Sequence, residues 1–273
     1  MEDKRIQVAI LDMYDGTPNV GLAAIRRVVG DFATLDFQVF DVRARHEFPD
    51  FDFDLFICSG GPGDPREWDE AWTPKYFELV DLLWQYNLAN PRQPKPAFFI
   101  CHSFQMMCDH FRLGKVIPRK SRSIGVYPVH MTDAGRMDPL FRGLSDPFYA
   151  ADSRYYQFVH PDKKRFASMG AHVLALEKRR PHVPLERAIM AVRFSNAWVG
   201  TQFHPEADPA SMLHMLLETP KGEKIRAFKG NRKFDELIET LRDPAKLEVT
   251  YQTVLPAFLK ECIARLKPAE ATS

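Results

Sequence analysis

Cys101, His204 and Glu206 are the residues in this chain whose types and positions could do covalent chemistry. Cys101 ends the apolar run Ala97-Phe98-Phe99-Ile100, and a helix-compatible segment, Gln105 to Phe111, follows it directly. A strand running into a tight turn and then a helix exposes a thiol at the sheet's carboxyl edge. The helix turns its N-terminal amides and positive dipole end toward the sulfur, which favours a thiolate and any neighbouring oxyanion. His204-Pro205-Glu206 stands where another apolar run, Ala197 to Phe203, gives out. In extended backbone the i, i+2 spacing puts His204 and Glu206 on one side, and Pro205 stiffens the segment. A cysteine, a histidine and a carboxylate of this kind suit acyl transfer through a thioester. Cys101 would attack, His204 would act as base and then acid, and Glu206 would orient the imidazole.

A third piece is Ser59-Gly60-Gly61-Pro62-Gly63-Asp64-Pro65, which follows the apolar run Phe53 to Cys58. Its glycines and prolines make a rigid turn that a ligand can approach closely. Such a turn at a strand's carboxyl end can aim N–H groups at an anion. Backbone amides near Gly61 and at His102 would then hold the oxyanion, a donor worth about 3–4 kcal/mol of barrier if lost. Taken singly, each piece has an ordinary structural explanation: a core cysteine, a structural histidine, a plain turn. Their order along the chain is what points to chemistry.

The elements that must position these residues read as α/β. Ile6 to Leu11, Leu35 to Val42 and Phe53 to Cys58 have strand character. Val20 to Val29 and Thr73 to Tyr86 carry apolar residues at helical spacing. The nucleophile helix extends to about Leu113, with Gly114 as its stop, and Gly30 reads as the residue just past the first helix. Further strands are expected at Ile124 to Met131, Ala171 to Leu176, Ala188 to Phe194 and Ala197 to Phe203, the last two joined at Ser195-Asn196 as a hairpin. Asp138 to Asp146 reads as a turn, and Ser153 to Gln157 as either a pocket wall or a plain strand edge. Ser211 to Leu217, Phe234 to Leu241 and Tyr251 to Leu266 are helical. The basic stretch Lys221 to Lys233 between them reads as solvated surface. This gives a domain at 1–217 and a helical C-terminal extension at 218–273, which could cap the site, self-associate into a homo-oligomer or dock a partner.

With 273 residues the chain is long enough for a large core. Its 37 Lys plus Arg balance 36 Asp plus Glu, so charge offers no support for nucleic acid or a membrane surface as partner. Four unpatterned cysteines and no signal-like or spanning segment point to a cytoplasmic protein with reduced thiols.

Together the glycine loop, Cys101 with Gln105 four residues later, and His204-Pro205-Glu206 resemble the class I (triad-type) glutamine amidotransferases, the amidotransferase domain of GMP synthase among them. The resemblance spans roughly residues 6 to 217. It implies a flavodoxin-like three-layer sandwich with a mostly parallel sheet. It also implies hydrolysis of glutamine to glutamate, with ammonia passed to a synthase domain or subunit. Cys101, His204 and Glu206 would be the triad, and Gly61 and His102 the oxyanion amides. Gly60 and Gln105 would help bind glutamine, and Arg154, Tyr155 and Tyr156 would meet its α-amino-acid end. Neither a cofactor nor a metal is expected. The family elbow reads Gly-x-Cys-x-Gly, whereas here Phe99 and Ser103 take the glycine positions. Either neighbouring strands make room for Phe99 or the pocket differs. The elbow, together with Gly125-Val126-Tyr127, Asp138-Pro139-Leu140 and Ser153-Arg154-Tyr155, also resembles the homoserine O-succinyltransferases, which use the same triad for acyl transfer. A non-catalytic binding relative is the third alternative.

Overall fold

The computed structural model describes residues 5–17, 19–182 and 184–266. In chain order the elements are β1 (Ile6–Asp12), α1 (Val20–Gly30), β2 (Leu35–Asp41), β3 (Leu55–Cys58), α2 (Thr73–Ala89), β4 (Ala97–Ile100) and α3 (His102–His110). There follow β5 (Lys115–Met131), α4 (Asp133–Met137), a 3-10 turn (Pro139–Phe141), β6 (Phe148–Val159), α5 (Lys163–Met169) and β7 (His172–Glu177). The chain then runs through β8 (Ile189–Arg193), β9 (Trp198–Thr201), α6 (Pro209–Glu218), α7 (Pro220–Lys229), α8 (Asn231–Arg242) and α9 (Leu247–Leu266).

Nine strands form one sheet in the order β2-β1-β3-β4-β9-β8-β7-β5-β6. From β2 to β9 all pairings are parallel; from β9 to β6 all are antiparallel. The sheet is therefore mixed, with its parallel half where the candidate residues lie. Strands β3 (LFIC) and β4 (AFFI) are buried along their whole length, as parallel strands covered on both faces must be. Alternation divides their side chains between two cores. Phe98 and Ile100 join Ile25 and Val29 of α1 on one face. Ala97 and Phe99 join Tyr76 of α2 and Phe104 of α3 on the other. Three layers result, helix–sheet–helix.

The C-terminal helices are helical as expected, but they divide. Val254, Leu255, Phe258 and Leu259 of α9 belong to the same core as α1, and Phe258 packs edge-on to Phe98 at 5.1 Å between ring centroids. Helices α6, α7 and α8 form a smaller core of their own against β5 and β6, with Leu216, Ile225 and Leu237 meeting Ile124 and Val126. The stretch Lys221 to Lys233 is mostly exposed, as expected, but it is helical: it spans most of α7 and the first turn of α8, its Ile225 is buried, and Lys229 donates to the Ile124 carbonyl at 2.8 Å.

Two terminations differ from expectation. Helix α3 ends at His110, because Arg112 turns the chain with φ +53°. Gly114 serves packing instead: a Cβ there would lie 2.7 Å from the His160 carbonyl oxygen. Gly30 is the last residue of α1, and Asp31 caps it. The Ser195-Asn196 hairpin forms as expected, with Ser195 Oγ accepting from the Trp198 amide at 3.2 Å.

Candidate active site

Strands β3, β4 and β9 are adjacent and parallel. Their carboxyl ends therefore open on one edge of the sheet, where α/β proteins bind ligands. The glycine loop leaves β3 there, Cys101 leaves β4 and His204 follows β9. This topology brings together residues 60, 101 and 204, and Gly61, Cys101 and His204 line a cleft of about 360 Å³ there.

Cys101 has φ +52° and ψ −94°, a backbone conformation that disfavours a side chain and stores about 1–3 kcal/mol of strain. It is pinned there from both sides. Its N–H donates to the Thr201 carbonyl at 2.7 Å, and its own carbonyl accepts from Gln105 at 3.0 Å, opening α3. Ser103, where the family motif has glycine, is fully buried. Its hydroxyl accepts from the Ile100 amide at 2.8 Å and lies 2.9 Å from the Cys58 carbonyl, tying the elbow to β3.

Phe99 is accommodated away from the cleft. It packs edge-on to Trp198 at 5.3 Å and Phe194 at 5.9 Å in the core facing α2 and α3. Its pairing partner on β9 is Gly200, where a Cβ would stand 3.0 Å from the Phe99 carbonyl oxygen and 2.9 Å from the Phe104 ring. The Phe99 ring is thus housed among its aromatic neighbours, and the large elbow residue does not line the pocket.

His204 and Glu206 face one another as their spacing predicts, with Nδ1 2.8 Å from Oε1. The His204 amide donates to the Ala151 carbonyl at 2.9 Å, which fixes the segment against β6. Glu206 is wholly buried. The first turn of α1 stands beside it: a Cβ on Gly21 would lie 3.0 Å from Oε1. Burial works against a charged ring on His204. The neighbouring Glu206 and Cys101 side chains outweigh it, so the imidazole holds its proton well above the usual histidine range. At the next position the opposite holds. Burial, reinforced by the Arg43 charge, drives the His102 imidazole down to about 3, so this side chain is neutral at the start of α3.

The glycine loop after β3 is held by close backbone contact. A Cβ on Gly61 would lie 2.5 Å from the Met13 carbonyl oxygen. A Cβ on Gly60 would lie 3.0 Å from the His204 ring and 3.5 Å from Cys101 Cβ. Gly61, His102, Gln105, Arg154, Tyr155 and Tyr156 all line the cleft. Two of them are engaged elsewhere. Gln105 donates to Gln202 Oε1 at 2.6 Å. Arg154 is buried and bonds Asp152 at 3.0 Å and Glu177 at 3.2 Å, leaving only Nη1 without a partner. Tyr155 is exposed and lies under Arg122, and Tyr156 lies under Arg66.

Three contributors have weak or no sequence signals. Gln202 approaches Cys101 Sγ at 3.6 Å, and its place two residues before His204 was the available clue. The thiol lies 3.7 Å from the Ser153 carbonyl oxygen. Tyr14, buried beside Gly21 and Gly60, had no local clue at all.

A family model described as glutamine amidotransferase class-I matches residues 10–219. The chain belongs to that family. Solved structures similar to it include a glutamine amidotransferase from Thermotoga maritima, with 17% identity, a TM-score of 0.66, and 95% of this chain and 98% of that one covered. A glutamine amido transferase from Methylobacillus flagellatus aligns with 17% identity and a TM-score of 0.63, covering 99% of this chain and 98% of that one. At such identities the likeness is one of fold. No curated protein matches the chain. The sandwich and its flanking helices are therefore those of a class-I amidotransferase. The aromatic packing of Phe99 is a local variation in that domain.

Proposed function

We propose that this chain hydrolyses the side-chain amide of glutamine, giving glutamate and ammonia. The observation that carries the reading is the convergence of a strained, pinned Cys101 with the paired His204 and Glu206 at the carboxyl ends of adjacent parallel strands. The Cys101 thiolate adds to the carboxamide carbon, and the oxyanion lies toward the backbone amides of Gly61 and His102. His204, charged beside Glu206, gives its proton to the leaving nitrogen, and ammonia departs as the thioester forms. A water then adds to the thioester as His204 takes its proton. The C–S bond breaks, releasing glutamate, and the sulfur leaves as the thiolate. Gly60 and Gln105 help bind glutamine, whose α-amino-acid end sits toward the Arg154-Tyr155-Tyr156 segment. Residues 1–217 carry this chemistry, and 218–273 frame it. The ammonia goes to a separate synthase chain, and four unpaired, buried thiols suit a reducing, cytoplasmic setting.

A second reading is acyl transfer to homoserine by the same triad. The observation favouring it is the apolar wall that Met212, Met215, Leu216, Ile225 and Leu237 give the cleft, which suits an acyl donor. Parallel assays separate the two. Purified protein is expected to release glutamate from glutamine and to release no free CoA from succinyl- or acetyl-CoA with homoserine. Cys101→Ala is expected to lower glutamate release by about 10³-fold or more. Undiminished release in that variant would remove Cys101 from the reaction. Alkylation of Cys101 no faster than that of Cys58, whose thiol burial pushes up to about 12, would favour a non-catalytic relative.

A further inference from the structure

Behind the catalytic cleft, between the β5–β6–β7 edge of the sheet and helices α7 and α8, lies a second cavity of about 470 Å³. Six cations line it, Arg119, Arg122, Lys178, Arg180, Lys229 and Lys233, against two carboxylates, Asp152 and Glu177. Both carboxylates already have cationic partners within the chain, although Asp152 Oδ1 accepts no hydrogen bond. Glu177 accepts from Arg119 at 3.2 Å, Arg154 at 3.2 Å and Arg180 at 2.7 Å. Asp152 accepts from Ser123 at 2.7 Å and Arg154 at 3.0 Å.

Among the described residues this leaves Arg122, Lys178, Lys229 and Lys233 with no carboxylate in ion-pair range. Lys178 and Lys229 share one aromatic ring, with ammoniums 4.5 and 5.6 Å from the Tyr127 centroid. Burial above all, with the neighbouring cations, holds both below the usual ammonium range, although Glu177 and Asp152 act against this at Lys178 and Glu236 at Lys229. Two buried donors also lack partners, Arg119 Nε and Arg122 Nε, and the Arg119 side chain is only 9% exposed. An unsatisfied buried donor is costly unless something accepts from it. Phe228, 57% exposed, stands among the lining residues with no aromatic partner among the described residues. Clustered cations, orphaned guanidinium donors and an exposed ring are complementary to a multiply charged phosphate carrying a flat group.

We infer that this cavity binds a pyrophosphate-bearing small molecule, with its phosphates on Lys178, Lys229, Lys233 and Arg119. The site adjoins the catalytic cleft: Arg122, Ile124 and Asp152 line both spaces. Ala151, next to Asp152, holds the His204 backbone. The inference does not rest on amide hydrolysis, and calorimetry reads it without turnover.

Titration of the full chain with inorganic pyrophosphate and with ADP is expected to give one site per chain, with adenosine at least about tenfold weaker than ADP. Tighter binding of ADP than of pyrophosphate would assign the source to a nucleotide. Equal binding would assign it to the free anion. Lys233→Ala, which removes no contact seen in the fold, and the double change Lys178→Ala with Lys233→Ala are each expected to weaken ADP by about tenfold or more. Thermal unfolding of these variants would verify that they fold. Absence of binding by both phosphates at millimolar concentration, adenosine binding as tightly as ADP, or full affinity in the folded double variant would overturn the inference.

Discussion

Glu206 acts on His204 at 2.8 Å through charge and orientation together. Replacing it with glutamine keeps the shape and removes the charge. Glu206→Gln is expected to lower kcat for glutamine by about 10²- to 10⁴-fold, the range seen when an orienting acid is neutralised. The sign of the pH effect follows from the raised pKa of His204. The folded chain keeps a proton that the unfolded chain sheds above about pH 6.5. Its contribution to stability is thus complete below that pH and is lost as pH rises through the folded pKa. Without the carboxylate the folded pKa falls. The alkaline limb of the kcat/KM profile should move to lower pH, and denaturant unfolding at pH 6 and pH 8 should differ less than in the wild type. An alkaline limb that stays in place would separate Glu206 from the imidazole's titration. Ser103 shows how another residue scale adjustment works: a hydroxyl bonded to the Ile100 amide holds a turn for which the family motif uses glycine.

At the scale of elements, the tight step from β4 to α3 depends on the strand beside it. Phe99 pairs with Gly200 on β9, where a Cβ would crowd the Phe104 ring, and it fills an aromatic cluster with Phe194 and Trp198. A residue so placed stabilises the fold without touching the cleft. Phe99→Ala is expected to cost about 3–5 kcal/mol in denaturant unfolding, the usual range for a buried phenylalanine. The KM for glutamine should stay near the wild-type value in the folded fraction. A large KM change at unchanged stability would place Phe99 in substrate selection instead. The same scale explains how much of Arg154 is engaged within the fold. It lies on β6, where Asp152 of the same strand and Glu177 of β7 take up Nε and Nη2 and leave Nη1 without a partner.

For the whole molecule, the C-terminal segment is two structures rather than one. Helices α6, α7 and α8 wall the cleft and the basic cavity, whereas α9 runs back to complete the layer that α1 begins. Phe258, 1% exposed, stands against Phe98 of the nucleophile strand. Phe258→Ala is expected to lower the unfolding free energy by about 3–5 kcal/mol in one cooperative transition followed by tryptophan fluorescence and circular dichroism. A separate early transition for the tail, with the main transition unmoved, would show that α9 is dispensable to the sheet. Among the described residues no helix is long and apolar enough to cross a membrane.

The sequence by itself determined the parts whose signals are local. Apolar runs ending at Cys58, Cys101 and Phe203 mark strand ends, and the residues following each are the candidates for chemistry. His204 and Glu206 sit two apart, so extended backbone alone turns both to one side. Helix periodicity gave α2, α6, α8 and α9 as elements. Only the tertiary structure decided that β3, β4 and β9 are neighbours and parallel, because strand order is set by long-range pairing and leaves no mark on any one strand. The same holds for Tyr14 and for Gly200, whose roles come from what packs against them across the sheet. It holds most for Lys221 to Lys233. Its composition reads as solvent-facing, yet burying Ile225 and Phe234 against β5 and β6 carries Lys229 and Lys233 to the cavity. Charge is visible in a sequence; which side of a helix it is forced to share with an apolar contact is decided by the fold.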